Sequence, residues 1–263
     1  NSNALRAILD TKASIINDKW GSMSIFDIPD DTAYGSAIEF KKTNNWIDAD
    51  QIVNYGVTKF GGEYFHTSIF AAFLSASVDA SNDGIPYESP SNKNIKAEGI
   101  AYKVGNVYKD LNLDEPEANL LNENGICTIL SRANGIVYWG NRTSVFQPGG
   151  NMDPKDMWIP IKRMFKYIAN TVMLNTEIDV DKPMTYSKAK NIKMNINIYL
   201  ASLVSDEKLL GASVDFLEID NPIGDLVQGK FKWHLFLGGV IPGETLEYIL
   251  EYEGKYLTGF YAA

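Results

Sequence analysis

Two hydrophobic periods stand close together in the last third of the chain. Across 185–203, Ile192, Ile196, Tyr199, Leu200 and Leu203 fall on one stripe at helical spacing. Across 230–237, Phe231, Trp233, Leu235 and Leu237 alternate with Lys232, His234 and Phe236, the period of a strand with one buried face. A chain holding both periods is neither all-helical nor all-strand, so its class is α+β or mixed α/β. Segments 214–219, 230–237 and 246–252 predict a C-terminal antiparallel meander packed on the 185–203 helix. Trp233 and Leu235 are expected to share a buried face with Ile196 and Leu200.

The rest of the chain reads the same way. Leu5, Ile8, Leu9, Ile15 and Ile16 predict an amphipathic helix over 5–16, and 23–28 a short strand ended by Pro29. Helices are expected over 33–42 and 49–59, then an aromatic-rich strand over 62–66. The run SIFAAFLSASV at 68–78 is small or apolar on every side, which predicts a helix buried on every side. A polar loop follows over 79–98. Segments 125–130 and 135–139 read as two strands joined by a tight turn. Residues 157–161 read as extended, interrupted by Pro160, ahead of a helix over 162–175 and a polar hairpin over 176–183. Gly149-Gly150 marks the clearest break, dividing 1–150 from 151–263. The chain does not begin with Met, which reads as a piece of a longer protein.

Charge and rare residues narrow the function. The 33 acidic and 24 basic residues give a net charge of −9, which argues against nucleic acid as a main ligand. The apolar runs fall far short of the roughly 20 residues that span a bilayer, so no membrane partner is expected. Cys127 is the single cysteine, so no intrachain disulfide forms and no zinc site has two thiolates. The segment 151–200 alone is net positive, and it holds Lys162, Arg163, Lys166, Lys188, Lys190 and Lys193. Those six are either a solvated face or a surface for an acidic neighbour.

Catalytic signatures are missing. His66 and His234 are the two histidines, each within a strand and beside aromatics, where a packed or half-exposed imidazole is the ordinary reading. GxSxG, HExxH, Walker and Rossmann patterns do not occur. Asp179-Val180-Asp181 alternates like a calcium loop but lacks its Gly and terminal Glu, so it reads as a turn. No catalytic residue, metal or cofactor is expected.

One stretch is more specific. LNENGICTILSRANGIVYWGNRTS, residues 121–144, resembles a signature of contractile phage tail sheath proteins, an "LN..GIN.I" segment ahead of "G.G...WG.RT". The matching positions are Leu121, Asn122, Gly125, Ile126, Ile129, Gly135, Trp139, Gly140, Arg142 and Thr143, with Cys127 in place of the usual Asn. Residues 68–79, 159–172, 211–220 and 241–252 resemble further sheath pieces in the correct order, including a Pro-x-Glu entry to the closing strand. The family's Gly- and Pro-containing motif is poorly matched in 80–98.

The resemblance implies a structural, non-enzymatic, cofactor-free subunit with a tail-sheath-like core. Such subunits stack as hexameric rings helically around a tail tube, and meet baseplate and tail terminator. They repack on contraction to drive the tube through the host envelope. The expected place is the virion's tail, after synthesis in the bacterial host cytoplasm. The resemblance puts 151–263 on the tube side and makes the six basic residues candidate contacts with tube or neighbour. Arg142 is either a fork tying loops or subunits together or a structural arginine within one subunit. A tailocin or secretion-device sheath is the alternative, and a hydrolase or carbohydrate-binding module the alternative of another class. Sheath lattices depend on terminal arms, so this piece alone is expected to be monomeric or weakly associated.

Overall fold

The computed structural model describes residues 4, 6–9, 20–133 and 135–257. The helix expected over 5–16 lies largely outside them; residues 6–9 are helical. β1 (Ser24–Asp27) pairs in parallel with β2 (Gln51–Asn54), Ser24 opposite Gln51. α1 (Tyr34–Thr43) makes the crossover between them. β3 (Val57–Phe60), β4 (Glu63–His66), β6 (Gly99–Val104) and β7 (Val107–Leu111) form an antiparallel sheet in the order β4-β3-β6-β7. β5 (Lys93–Asn94), β9 (Gly135–Trp139) and β8 (Thr128–Arg132) form a third sheet in that order. β10 (Gly211–Asp215) and β11 (His234–Gly238) pair antiparallel, Val214 opposite Leu235. The helices are α2 (Thr67–Ser81), α3 (Glu115–Asn122), α4 (Ile159–Thr176) and α5 (Tyr186–Ser205), with single turns at Pro154–Met157 and Ile223–Val227. The class is α+β.

Side chains gather in two large apolar clusters and a small third one of Ala118, Leu130 and Val137. The first holds Trp46, Tyr55, Leu121, Ile126, Ile129, Tyr138 and Ile159. The second holds Met164, Ile168, Ile192, Ile196, Leu200, Leu203 and Val214, with Trp233 and Leu235 packed against it as the periods imply. α4 serves both: Ile159 at its start belongs to the first, Met164 and Ile168 to the second.

Five expectations are corrected. Residues 49–59 are strands β2 and β3, not a helix; all four residues of β2 are buried, and β-branched Ile52 and Val53 pair with β1. α2 is buried on one face only: Ala71, Leu74 and Val78 face the core, while Ile69 and Phe73 are exposed. Residues 159–161 are already helix, because Pro160 in a first turn has no amide that a helical bond would need. The hairpin expected over 176–183 is a 3-10 turn, Glu177–Asp179. The meander stops at two strands, since 246–252 has no partner strand among the described residues.

Candidate functional site

The 121–144 segment is a knot of interlocking contacts. Ahead of it, α3 begins with a capping box: Glu117 N donates to Asp114 Oδ1 at 2.8 Å, and Asp114 N to Glu117 Oε2 at 3.0 Å. That cap orients the helix so that Leu121 is fully buried and Asn122 faces the next loop. Gly125 turns the chain at φ +66°, where a Cβ would stand 2.5 Å from Thr143 O and 2.9 Å from Lys41 Nζ. Ile126 and Ile129 then enter the first cluster, and Cys127 exchanges backbone bonds with β2, its N donating to Val53 O at 2.8 Å. Gly140, at φ +138°, lies where a Cβ would meet Cys127 Sγ at 2.6 Å. Gly135 opens β9. Trp139 Nε1 donates to Asn119 Oδ1 at 2.9 Å, with the Arg132 guanidinium 4.3 Å over its ring. Thr143 N donates to Met157 O at 3.0 Å and its Oγ1 to Asp156 O at 2.6 Å.

Lys41 is the residue that sequence reasoning missed. It is buried in the last turn of α1, and its Nζ donates to Asn124 O at 2.5 Å and Phe146 O at 3.5 Å. Burial lowers its pKa to about 8. Burial likewise pushes the Cys127 thiol up to about 12, so this cysteine is an inert apolar filler. Nothing in the local pattern of 34–43 distinguishes Lys41 from its exposed neighbour Lys42.

Arg142 meets the C-terminal segment. Its Nε donates to Glu244 Oε1 at 3.0 Å and its Nη2 to Oε2 at 2.5 Å, a bidentate fork. The guanidinium lies between the rings of Phe146, 4.0 Å away, and Trp158, 3.8 Å away. Asn122 Nδ2 adds a bond to Glu244 Oε1 at 2.8 Å, while Asn141 N donates to Asn122 Oδ1 at 3.0 Å. The signature and the Pro242-Gly243-Glu244 entry are thus two halves of one joint. Beyond it Leu246, Tyr248, Ile249, Leu250 and Tyr252 are all exposed.

The six basic residues divide into two sets. Lys162 pairs with Asp50 at 3.2 Å and Asp156 at 2.7 Å, Lys166 with Asp50 at 2.9 Å, and Arg163 with Asp79. Burial works against the Lys162 ammonium, but Asp156 and Asp50 outweigh it and raise its pKa. These three residues tie the start of α4 to β2's approach and to α2. On α5, Lys188 pairs with Asp179 at 2.5 Å and Lys193 with Asp215 at 2.5 Å; Lys190 is exposed and makes no ion pair among the described residues.

The histidines stand apart from any relay. His66 Nδ1 lies 3.6 Å from Asp27 Oδ2, and that carboxylate, not the imidazole, holds the Ser68 hydroxyl. Asp27 also accepts from Ser68 N at 2.8 Å, capping α2 from a neighbouring strand; burial raises its pKa against these bonds. His234 Nδ1 is 2.9 Å from Asp220 Oδ2 and its ring stacks on Phe236. Asp179 sits in its turn, facing Lys182 and Lys188. No group of three metal-binding side chains occurs among the described residues. None of their helices is long and apolar enough to cross a membrane.

No family model matches the sequence. The chain is 26% identical over 227 residues to the major tail sheath protein of Serratia phage KSP20, covering 86% of this chain and 54% of that protein. It is 29% identical over 164 residues to the tail sheath protein of Escherichia phage P2, covering 62% and 40%. It therefore spans about half, or less, of these relatives. The sheath complex of an extracellular contractile injection system, PVC, solved in the contracted state, shares its fold at TM-score 0.73, with 20% identity, covering 90% of this chain and 65% of that one. The resemblance carried by 121–144 is borne out across most of the chain.

Proposed function

We infer, from its similarity to tail sheath proteins, that this chain is the core of a structural sheath subunit. It polymerises around a tail tube and repacks on contraction to drive the tube through an envelope. The observation that carries this reading is the segment 246–252. Leu246, Tyr248, Leu250 and Tyr252 line one face of a strand pattern, and Glu247, Ile249 and Glu251 the other. Its apolar residues are exposed, and no strand among the described residues pairs with it. A hydrophobic strand without a sheet finds its hydrogen bonds on another chain. The two-stranded β10–β11 sheet has open edges and an apolar underside over α5, a seat of matching chemistry on a neighbouring copy.

Ring stacking, and contacts with tail tube, baseplate and tail terminator in a virion, belong to the same proposal. So does the division at Gly149-Gly150, with α4, in the second part, reaching the first cluster through Ile159. Lys162, Arg163 and Lys166 spend their charge within the chain, so outward contact with tube or neighbour is proposed chiefly for Lys188, Lys190 and Lys193. Negative-stain microscopy of the full-length protein tests the whole. Tubes or rings that vanish on deletion of 246–252 are expected; a protein that stays monomeric at high concentration, with and without tubes, overturns it.

A further inference from the structure

We propose that Glu244 and Arg142 form a clasp that sets the direction in which the 246–252 strand leaves the body, making Glu244, Arg142 and Asn122 positioning residues for pairing with the neighbour. This rests on the reading of 246–252 as a donated strand. Among the described residues, every hydrogen bond from 240–252 to the rest of the chain ends on Glu244. The strand pattern begins two residues later, at Leu246. One hydrogen-bonded point fixes a direction only if it fixes an angle, and this one does. Three donors converge on one carboxylate, and two come from a planar fork, which sets orientation as well as distance.

The fork is itself immobilised between the Phe146 and Trp158 rings. Trp158 is bridged to Arg142 through the backbone as well. Asn122 is held in place by the Asn141 amide. The Arg142 side chain is 14% exposed and that of Glu244 29%, so water screens the pair only partly. A strand aimed in advance loses less freedom when it pairs, and that saving is carried into the strength of association.

The test uses three variants of the full-length protein: Glu244→Gln, Arg142→Lys and deletion of 246–252. Spin labels on Leu120→Cys and Ile249→Cys report the spread of strand directions in the unassembled protein; Cys127 is buried and stays unlabelled. Glu244→Gln and Arg142→Lys should each widen the distance distribution at least twofold and raise the concentration needed for assembly about tenfold, the scale of one charge-assisted hydrogen bond. Their melting temperatures should stay near that of the parent, since the joint lies outside both large apolar clusters. Unchanged widths in Glu244→Gln overturn the clasp. So do widened distributions with unchanged assembly, and so does an Arg142→Lys variant that behaves as the parent, because a point charge would then suffice. Normal assembly of the deletion variant instead sinks the donated-strand reading beneath it.

Discussion

Residues 121–144 and residues 239–252 are both rich in apolar side chains, yet they sit in opposite conditions. In the first, Leu121 and Ile126 are 0% exposed; in the second, Ile249 and Leu250 are 96% and 95% exposed. The first closes on itself through Gly125, Gly140, Asn122 and Thr143. The second, among the described residues, is hydrogen-bonded to the body at one carboxylate. Hydrophobicity in a sequence says that a residue needs cover; it does not say which chain supplies it. The contrast separates residues covered by their own chain from residues whose cover is proposed to come from a neighbour.

The strongest way to break that contrast is to truncate each region. Leu121→Ala and Leu200→Ala, both fully buried, should each cost roughly 2–5 kcal/mol in urea unfolding. A change below about 0.5 kcal/mol at either would put that face at the surface. Gly140→Ala forces a left-handed residue against Cys127 and should cost about 1–3 kcal/mol, read the same way.

The next effect is a pH slope. Lys41 titrates near pH 8 in the folded chain, well below an unfolded lysine, so between these values the unfolded state binds more protons. Lys41 therefore adds stability as pH rises from about 8. Cys127, whose pKa is raised, takes stability away from about pH 9 upward. Urea midpoints should climb between pH 8 and 9, and Lys41→Met should flatten that climb. Persistence of the climb in the variant would place its origin elsewhere.

Smaller still, Lys188, Lys190 and Lys193 changed together to Glu should shift the melting temperature little, since exposed pairs contribute below about 1 kcal/mol each. Assembly on tubes should suffer most at low salt; normal assembly would make the lysines a plain solvated face. The smallest stability effect belongs to Leu250→Ala, within about 0.5 kcal/mol, because the side chain is in water already.

Local period carried much of the fold. The β8–β9 hairpin, α5 and its packing against Trp233 and Leu235 follow from spacing alone. Residues 49–59 did not, because a parallel partner 27 positions earlier decides β2 and pairing with β4 and β6 decides β3, and no local pattern encodes those pairings. Burial of α2 was overstated for a similar reason: an all-apolar run looks core-bound whether its outer face meets its own chain or nothing. The joint was half legible. Its motif residues stood out, but Arg142 and Glu244 are 102 positions apart, and only folding brings them together. Lys41 gave no sign, since its acceptors are backbone carbonyls of distant loops.

α4 has a mechanical consequence. Its 18 residues make a rod of roughly 27 Å, set into the first cluster by Ile159 at its start and into the second by Met164 and Ile168 in its first ten residues. Lys162, Arg163 and Lys166 brace its near end against three aspartates on separate elements. A load on the second cluster then reaches the first through the short stretch of α4 that both share, with little lost to bending in between. Such a body is a lever and not a spring, and in the proposed lattice the elastic work would be held at the seams between copies.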